Sequence, residues 1–201
     1  MGERFPERLL RCLVGLGLFG FGIALFLESH LGVPPWDVFH KGVADKLDVS
    51  IGVVIIATGV VLLFLWIPLR QRPGLGTILN ALEIGLVVDL AKGSIGEPDR
   101  LWVRAMMLIA GLLVIAVGSA LYIGAGLGPG PRDGLMMGLA ERGVSVRLGR
   151  TVIEAVVVVA GLSLGGSIGV GTILFAVGIG PLVQALLPRL DIRPIGEHAP
   201  R

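Results

Sequence analysis

Long apolar blocks separated by short charged segments run the length of the chain. Six blocks stand out: Leu9–Leu27, Ser50–Leu69, Leu75–Ala91, Ala105–Ile123, Arg150–Gly165 and Val170–Leu187. A hydrocarbon layer about 30 Å thick takes roughly 20 helical residues to cross, so each block predicts a transmembrane helix. The third and fifth, about 17 and 16 residues, are short and leave little room for tilt. Between the first and second blocks lies Pro34–Leu47, with Asp37, His40, Lys41, Asp45 and Lys46; Pro131–Gly143 lies between the fourth and fifth. Both segments are too short and too charged to span. Arginines precede the first block, as in a secretory signal, but no small-x-small cleavage site follows, so it reads as a retained helix.

Composition agrees with this pattern. Of 201 residues 54% are hydrophobic and only 16% charged, against about 25% charged in soluble domains. The expected fold is all-α, a single integral membrane domain over residues 1–201. The single cysteine, Cys12, excludes an intramolecular disulfide and a cysteine metal cluster. A net charge of +2 without a basic stripe gives no footprint for nucleic acid. A phosphate-binding loop would need a G-K-[ST] ending, which is missing, and neither a nucleophile–base pair nor a zinc motif is visible. The reading is therefore not an enzyme, with no cofactor implied. Glycine makes up 32 residues, and small pairs four apart (Gly20 and Ala24, Ala116 and Ala120, Gly161 and Gly165, Ala176 and Gly180) predict close helix packing.

Lysine and arginine set the orientation. With six spans and an inside N-terminus, the inner segments hold 12 of these residues, Arg201 among them, and the outer segments 5. The positive-inside rule then puts both termini in the cytoplasm.

The chain also repeats itself. Leu31-Gly-Val-Pro-Pro-Trp-Asp37 aligns with Leu127-Gly-Pro-Gly-Pro-Arg-Asp133 at an offset of 96, as do Gly15 with Gly111 and Gly22 with Gly118. Gly74-Leu-Gly-Thr-Ile-Leu aligns with Gly169-Val-Gly-Thr-Ile-Leu at an offset of 95. The repeats cover about 8–96 and 104–190, each with three spans and a short, re-entrant or interfacial helix after its first span. Three is odd, so the halves cross in opposite senses, the inverted-repeat plan found in many transporters.

At the two L-G-x-x-P-x-D motifs, the G-x-G-T motifs and the phrase Ala120-Leu-Tyr-Ile-Gly-Ala-Gly-Leu-Gly128, the sequence resembles the YczE/YyaS/YitT family of bacterial integral membrane proteins, over roughly residues 8–188. The resemblance implies a bacterial cytoplasmic membrane. Some members are grouped with antibiotic exporters or linked to production of amphipathic secondary metabolites. It carries over no catalytic residues.

Asp37 and Asp133 occupy equivalent positions two residues after Pro35 and Pro131. Proline suits a first helical turn, and a carboxylate there complements the helix dipole. The bland reading is two short helix starts; the sharper one is two half-helices whose N-termini meet near the midplane. An aspartate at each positive end favours a cationic or neutral substrate. Glu83 falls near the middle of the third span, where a carboxylate costs a few kcal/mol, about 3 at the helix centre on insertion scales. Gly76, Asn80, Glu83 and Val87 share one stripe that should face protein. Glu83 is thus a candidate proton or cation carrier, or a structural acid bonded to Asn80. Arg150 and Glu154 read as a packing ion pair at i,i+4. Trp36 and Arg132 precede the two aspartates: Trp36 reads as an interfacial anchor, and Arg132 as a binder of lipid phosphate, a partner for a carboxylate or a gate at the inner mouth. A metal site from Glu28, His30, Asp37 and His40 is disfavoured, these histidines reading as solvated. Thr77 and Thr172 sit near helix starts where unwound backbone can also line a cavity.

The leading reading is a secondary transporter, a proton-coupled exporter of small organic or amphipathic molecules, with Glu83, Asn80, Asp37 and Asp133 at its centre. A non-transporting accessory protein and a channel are the alternatives. The partners expected are the lipid bilayer, a small-molecule substrate and protons; the oligomeric state stays open.

Overall fold

Two serines fix the register of the two halves. Ser50 and Ser145, 95 residues apart in sequence, each cap a helix by accepting a hydrogen bond from the backbone N–H three residues on, at Val53 and Leu148. The computed structural model describes residues 4–96 and 98–193; Arg201, counted in the charge tally, lies outside them. Eight helices follow in order among the described residues, with no strand: α1 Phe5–Ser29, α2 Pro35–Leu47, α3 Ile51–Leu69, α4 Leu75–Lys92, α5 Leu101–Gly124, α6 Pro131–Ala140, α7 Val146–Ser163 and α8 Val170–Leu190. All six predicted blocks are helices, and both charged segments are short helices of 13 and 10 residues.

Four helices, α1, α3, α5 and α8, are long and apolar enough to cross a membrane. With that surface (Leu90, Ile173 and Val177 are all about 70% exposed), the chain is a polytopic helical membrane protein. The other two predicted spans, α4 and α7, have 18 residues each and three charged side chains apiece, Glu83, Asp89 and Lys92 in one, Arg147, Arg150 and Glu154 in the other.

Glycines decide where the backbones meet. A β-carbon on Gly15 would lie 2.7 Å from the Gly118 carbonyl oxygen, and one on Gly22 would lie 2.9 Å from that of Gly111. The earlier glycine of α1 thus meets the later one of α5, so the two helices run antiparallel at van der Waals distance. Around this crossing Leu16, Ile23, Phe26, Ile115 and Ala116 are fully buried. α4 lies parallel to α1, with Gly17 beside Glu83 and Gly20 beside Val87. α8 packs on α5, α6 on α3 and α2 on α7.

The two G-x-G-T segments begin α4 and α8, as expected, and each clasps the other half. Gly76 N–H donates to Leu127 O at 2.8 Å, and Gly171 N–H donates to Leu31 O at 2.8 Å. The receiving turns contain Gly32 (φ +113°) and Gly128 (φ +125°), backbone that side chains other than glycine rarely adopt. Three arginines close one end of the bundle by capping helix carbonyls. Arg8 donates to Ala125 O, Arg11 to Leu190 O, and Arg142 to Pro68 O and Leu69 O, at 2.6 to 3.2 Å.

Not every small pair packs. Gly180 and Gly165 have nothing within 4 Å of where a β-carbon would stand. The close packing expected of Ala176 with Gly180 is therefore absent, because no described helix faces Gly180.

Candidate functional site

The first turns of α2 and α6 meet inside the bundle. Each opens on proline, Pro35 and Pro131, whose fixed φ and missing N–H suit a helix start. One residue on, the Arg132 guanidinium carbon lies 4.5 Å from the centre of the Trp36 ring, a cation–π contact. The α6 start is pinned by α3: Trp66 Nε1–H donates to Pro131 O at 2.9 Å, and its ring fills the space a side chain at Gly134 would need.

Beside this meeting point lies a cavity of about 330 Å³. Both halves build it. Ile55, Leu62 and Ile84 supply an apolar wall from α3 and α4, and Phe175 and Ile179 another from α8. Asn80, Tyr122, Arg132, Asp133, Arg150, Glu154 and Gln184 supply the polar groups. Tyr122 Oη donates to Asp133 Oδ2 at 3.1 Å, and the Asp133 side chain stays open to the cavity. Arg150 Nε donates to Glu154 Oε1 at 2.9 Å, the ion pair expected from their spacing. Arg132 has no hydrogen-bond acceptor among the described residues, and its guanidinium borders open volume. The wall therefore carries two cations, two carboxylates and several neutral polar side chains among apolar ones, the usual build of a small-molecule pocket.

Of the residues singled out from the sequence, Trp36, Asn80, Arg132 and Asp133 come together here. Four others do not line it. Asp37 turns to His40, with Oδ1 at 2.8 Å from Nδ1, both side chains buried. His40 is thus not solvated as expected, since α2 is packed against α7 rather than lying on the surface; its Nε2 is buried without a partner. No group of three or more metal-ligating side chains occurs among the described residues. Glu83 lies against α1, its Oε1 3.7 Å from where a β-carbon on Gly17 would be, and its Oε2 buried without a partner. The expected bond to Asn80 is not formed, because Asn80 turns to the cavity while Glu83 turns to α1. Thr77 and Thr172 accept from the N–H of Gly74 and Gly169 at 3.1 and 3.2 Å, and the Thr77 hydroxyl donates to Pro129 O at 2.7 Å. Thr77 thus ties the start of α4 to the other half, while Thr172 caps the start of α8.

Tyr122 and Gln184 are wall residues that the sequence reading missed. Tyr122 had a signal: it is the one tyrosine in the chain, a polar tip in an apolar span. Gln184 had a weaker one, an amide in the last apolar block.

Known sequences agree with the fold. A model of a family of unknown function, DUF6198, matches residues 6–188. An uncharacterized protein of Haemophilus influenzae is 38% identical over 176 residues, covering 87% of this chain and 81% of the relative. The uncharacterized membrane protein YczE of Bacillus subtilis is 33% identical over 178 residues, covering 87% and 83%. The uncharacterized protein YyaS of the same organism is 27% identical over 186 residues, covering 89% and 91%. No solved structure matches the chain significantly. The chain belongs to the DUF6198 family, that of the membrane proteins YczE and YyaS.

Proposed function

We propose that the protein is a six-span secondary transporter of the bacterial cytoplasmic membrane, built from two inverted repeats, with both termini in the cytoplasm. Its work is proton-coupled export of small organic or amphipathic molecules through the cavity between the halves. The observation that carries this reading is the cavity itself: about 330 Å³, walled by both repeats, at the point where the first turns of α2 and α6 meet. Irregular backbone and charged groups survive at membrane depth where they line a cavity, and paired broken helices at a repeat interface are the usual substrate site of such transporters.

Several features support the inverted plan. α1 and α5 cross antiparallel with Gly15 and Gly22 opposite Gly118 and Gly111, and the two G-x-G-T clasps are reciprocal. α4 and α7, each 18 residues, give about 27 Å of helix, enough for a thin hydrocarbon layer; Glu83 and Asp89 turn to protein, and Arg150 and Glu154 to the cavity. The arginine caps at one end, from Arg8, Arg11 and Arg142, fit the cytoplasmic face. The lengths of α2 and α6, 13 and 10 residues, and the meeting of their first turns inside the bundle support a re-entrant rather than an interfacial placement. Glu83, with a partnerless Oε2 beside α1, is the proposed proton carrier, away from the substrate wall.

The test is proton movement in proteoliposomes holding a pH-sensitive dye under an imposed gradient, with a panel of amphipathic metabolites. The expected result is collapse triggered by one compound class and lost in Asp133→Asn. Glu83→Gln should lose the coupling; wild-type rates at every pH would remove Glu83 from the mechanism. Silence from folded wild type overturns transport and points to an accessory role, and non-saturating flux indifferent to the gradient points to a channel.

A further inference from the structure

We infer that the cavity binds small amphipathic zwitterions, with the ligand carboxylate on Arg132 and its ammonium on Asp133. This rests on reading the cavity as a substrate site, and it names the class of substrate. Arg132 lies stacked on Trp36 with no hydrogen-bond acceptor among the described residues. A guanidinium offers five N–H donors in a planar fork that matches a carboxylate, and here the fork borders open volume. The ring holds the guanidinium plane, so that fork is oriented before a ligand arrives.

The adjacent acid supplies the complement. Asp133 accepts from Tyr122 Oη at 3.1 Å, lies against the Gly130 backbone, and keeps a face open to the cavity. Its counterpart in the other half, Asp37, is occupied by His40 at 2.8 Å and does not line the wall. Only one of the two motif aspartates therefore lines the cavity, beside Arg132, whose charge Asp37 and Asp133 both offset but whose N–H groups have no hydrogen-bond acceptor among the described residues. Arg150 and Glu154 neutralise each other at 2.9 Å, so the chamber has no excess charge to satisfy. Arg132 and Asp133 already offset one another's charge across the pocket, so a purely cationic ligand on Asp133 leaves Arg132 less compensated and a purely anionic one on Arg132 does the same to Asp133, whereas a ligand that meets both keeps the balance. The apolar walls from Ile55, Leu62, Ile84 and Phe175 take the hydrocarbon part. The free substrate is thus neutral overall, within the sequence expectation of a cationic or neutral molecule, and its anionic end is the kind of partner expected for Arg132.

Binding to the purified full chain in nanodiscs tests this without requiring flux. The probes are phenylalanine, phenethylamine, which lacks the carboxylate, and 3-phenylpropionate, which lacks the ammonium. Phenylalanine should bind, and each truncated probe should bind more weakly by roughly tenfold to a hundredfold, the worth of a charge-assisted hydrogen bond. Arg132→Gln should abolish the preference for phenylalanine over phenethylamine, and Asp133→Asn the preference over 3-phenylpropionate. Arg132→Lys keeps the charge but loses the fork, and should bind phenylalanine more weakly than wild type. Ligand-free melting of each variant checks that it folds. Equal binding of phenylalanine and phenethylamine, or no binding of any probe by folded protein, overturns the proposal. A phosphatidylethanolamine headgroup carries the same pair of charges, so the assay is run with and without that lipid. Loss of phenylalanine binding in its presence assigns the site to lipid and overturns the soluble-zwitterion reading. Zwitterion binding without flux leaves the site assignment standing and sinks transport; flux of compounds that lack one charge does the reverse.

Discussion

The corresponding helix pairs of the two halves are packed very differently. α3 and α4 are zipped: a β-carbon on Gly52 would strike the Gly85 carbonyl, one on Gly85 would strike that of Gly52, and one on Gly59 would lie 3.1 Å from the Ala81 β-carbon. Asp89 locks the end of the seam, accepting from the Ser50 hydroxyl at 2.5 Å and from Gly52 N–H at 2.8 Å. α7 and α8 have no such seam. At the offset of 95, Gly52 becomes Arg147, Gly59 becomes Glu154, Gly85 stays glycine as Gly180 and Asp89 becomes Gln184. α7 thus carries long charged side chains where α3 has glycines, and a β-carbon on Gly180 would meet nothing within 4 Å. The gap is where Arg150, Glu154, Gly180 and Gln184 line the cavity. One scaffold thus yields a closed gate and an open one, which under the proposed inverted plan lie on opposite membrane faces. On that plan the seam at Ser50 and Asp89 would shut the outer side, and the gap near the arginine-capped end would open inward. Alternating access would exchange the two.

Breaking the seam should have the largest effect. Gly85→Leu must push α3 from α4, and overpacking of this kind destabilises by about 1–3 kcal/mol or more. The mirrored change, Gly180→Leu, meets nothing and should stay within about 0.5 kcal/mol. Melting temperatures of the two variants in one detergent read this directly; equal losses would mean that α7 and α8 are packed after all. Next in size is the lock. Asp89→Ala leaves the Ser50 hydroxyl and the Gly52 N–H without their charged acceptor, a loss of about 1–3 kcal/mol, whereas Gln184→Ala should melt as wild type. A third contrast sharpens the geometry. In a Cys12→Ala background, Gly180→Cys should react with a water-soluble maleimide through the cavity, while Val88→Cys, fully buried in α4, should not. Protection of Gly180→Cys would close the proposed opening.

How much of this was legible in the sequence follows from the same residues. The helices were, because they rest on local signals: apolar run length, Pro35 and Pro131 at helix starts, and the motifs L-G-x-x-P-x-D and G-x-G-T, which mark the starts of α2 and α6 and of α4 and α8. The cavity was legible in part. Trp36, Asn80, Arg132 and Asp133 carry their signal in the motifs, and all four reach the wall. Glu83 and Asn80 share a stripe, yet a stripe roughly one-sixth of a turn wide is enough to face two neighbours, α1 and the cavity. Periodicity gives a residue's angle on its own helix and says nothing of which helix stands opposite. His40 read as solvated for the same reason, since its burial comes from α7, more than 100 residues away in sequence. The asymmetry of the gates was written in the alignment of Gly59 with Glu154, but its meaning needed the partner helix.

The smallest effect on stability, and the sharpest separation of scaffold from wall, belongs to Glu154. From sequence it pairs with Arg150 and packs; in the fold the pair has side-chain exposures of 56% for Arg150 and 32% for Glu154 and borders the cavity. An i,i+4 pair this exposed contributes about 0.3–0.5 kcal/mol, so Glu154→Gln should leave melting nearly unchanged. It should nevertheless change binding, because it frees the Arg150 guanidinium beside Arg132 and gives the chamber a net positive charge. 3-Phenylpropionate, the weak probe for wild type, should then gain affinity and phenylalanine should lose its advantage over it. A variant that melts lower by more than about 1 kcal/mol while keeping the wild-type probe order would make Glu154 a packing residue. The second gate would then be held open by something other than the charges on α7.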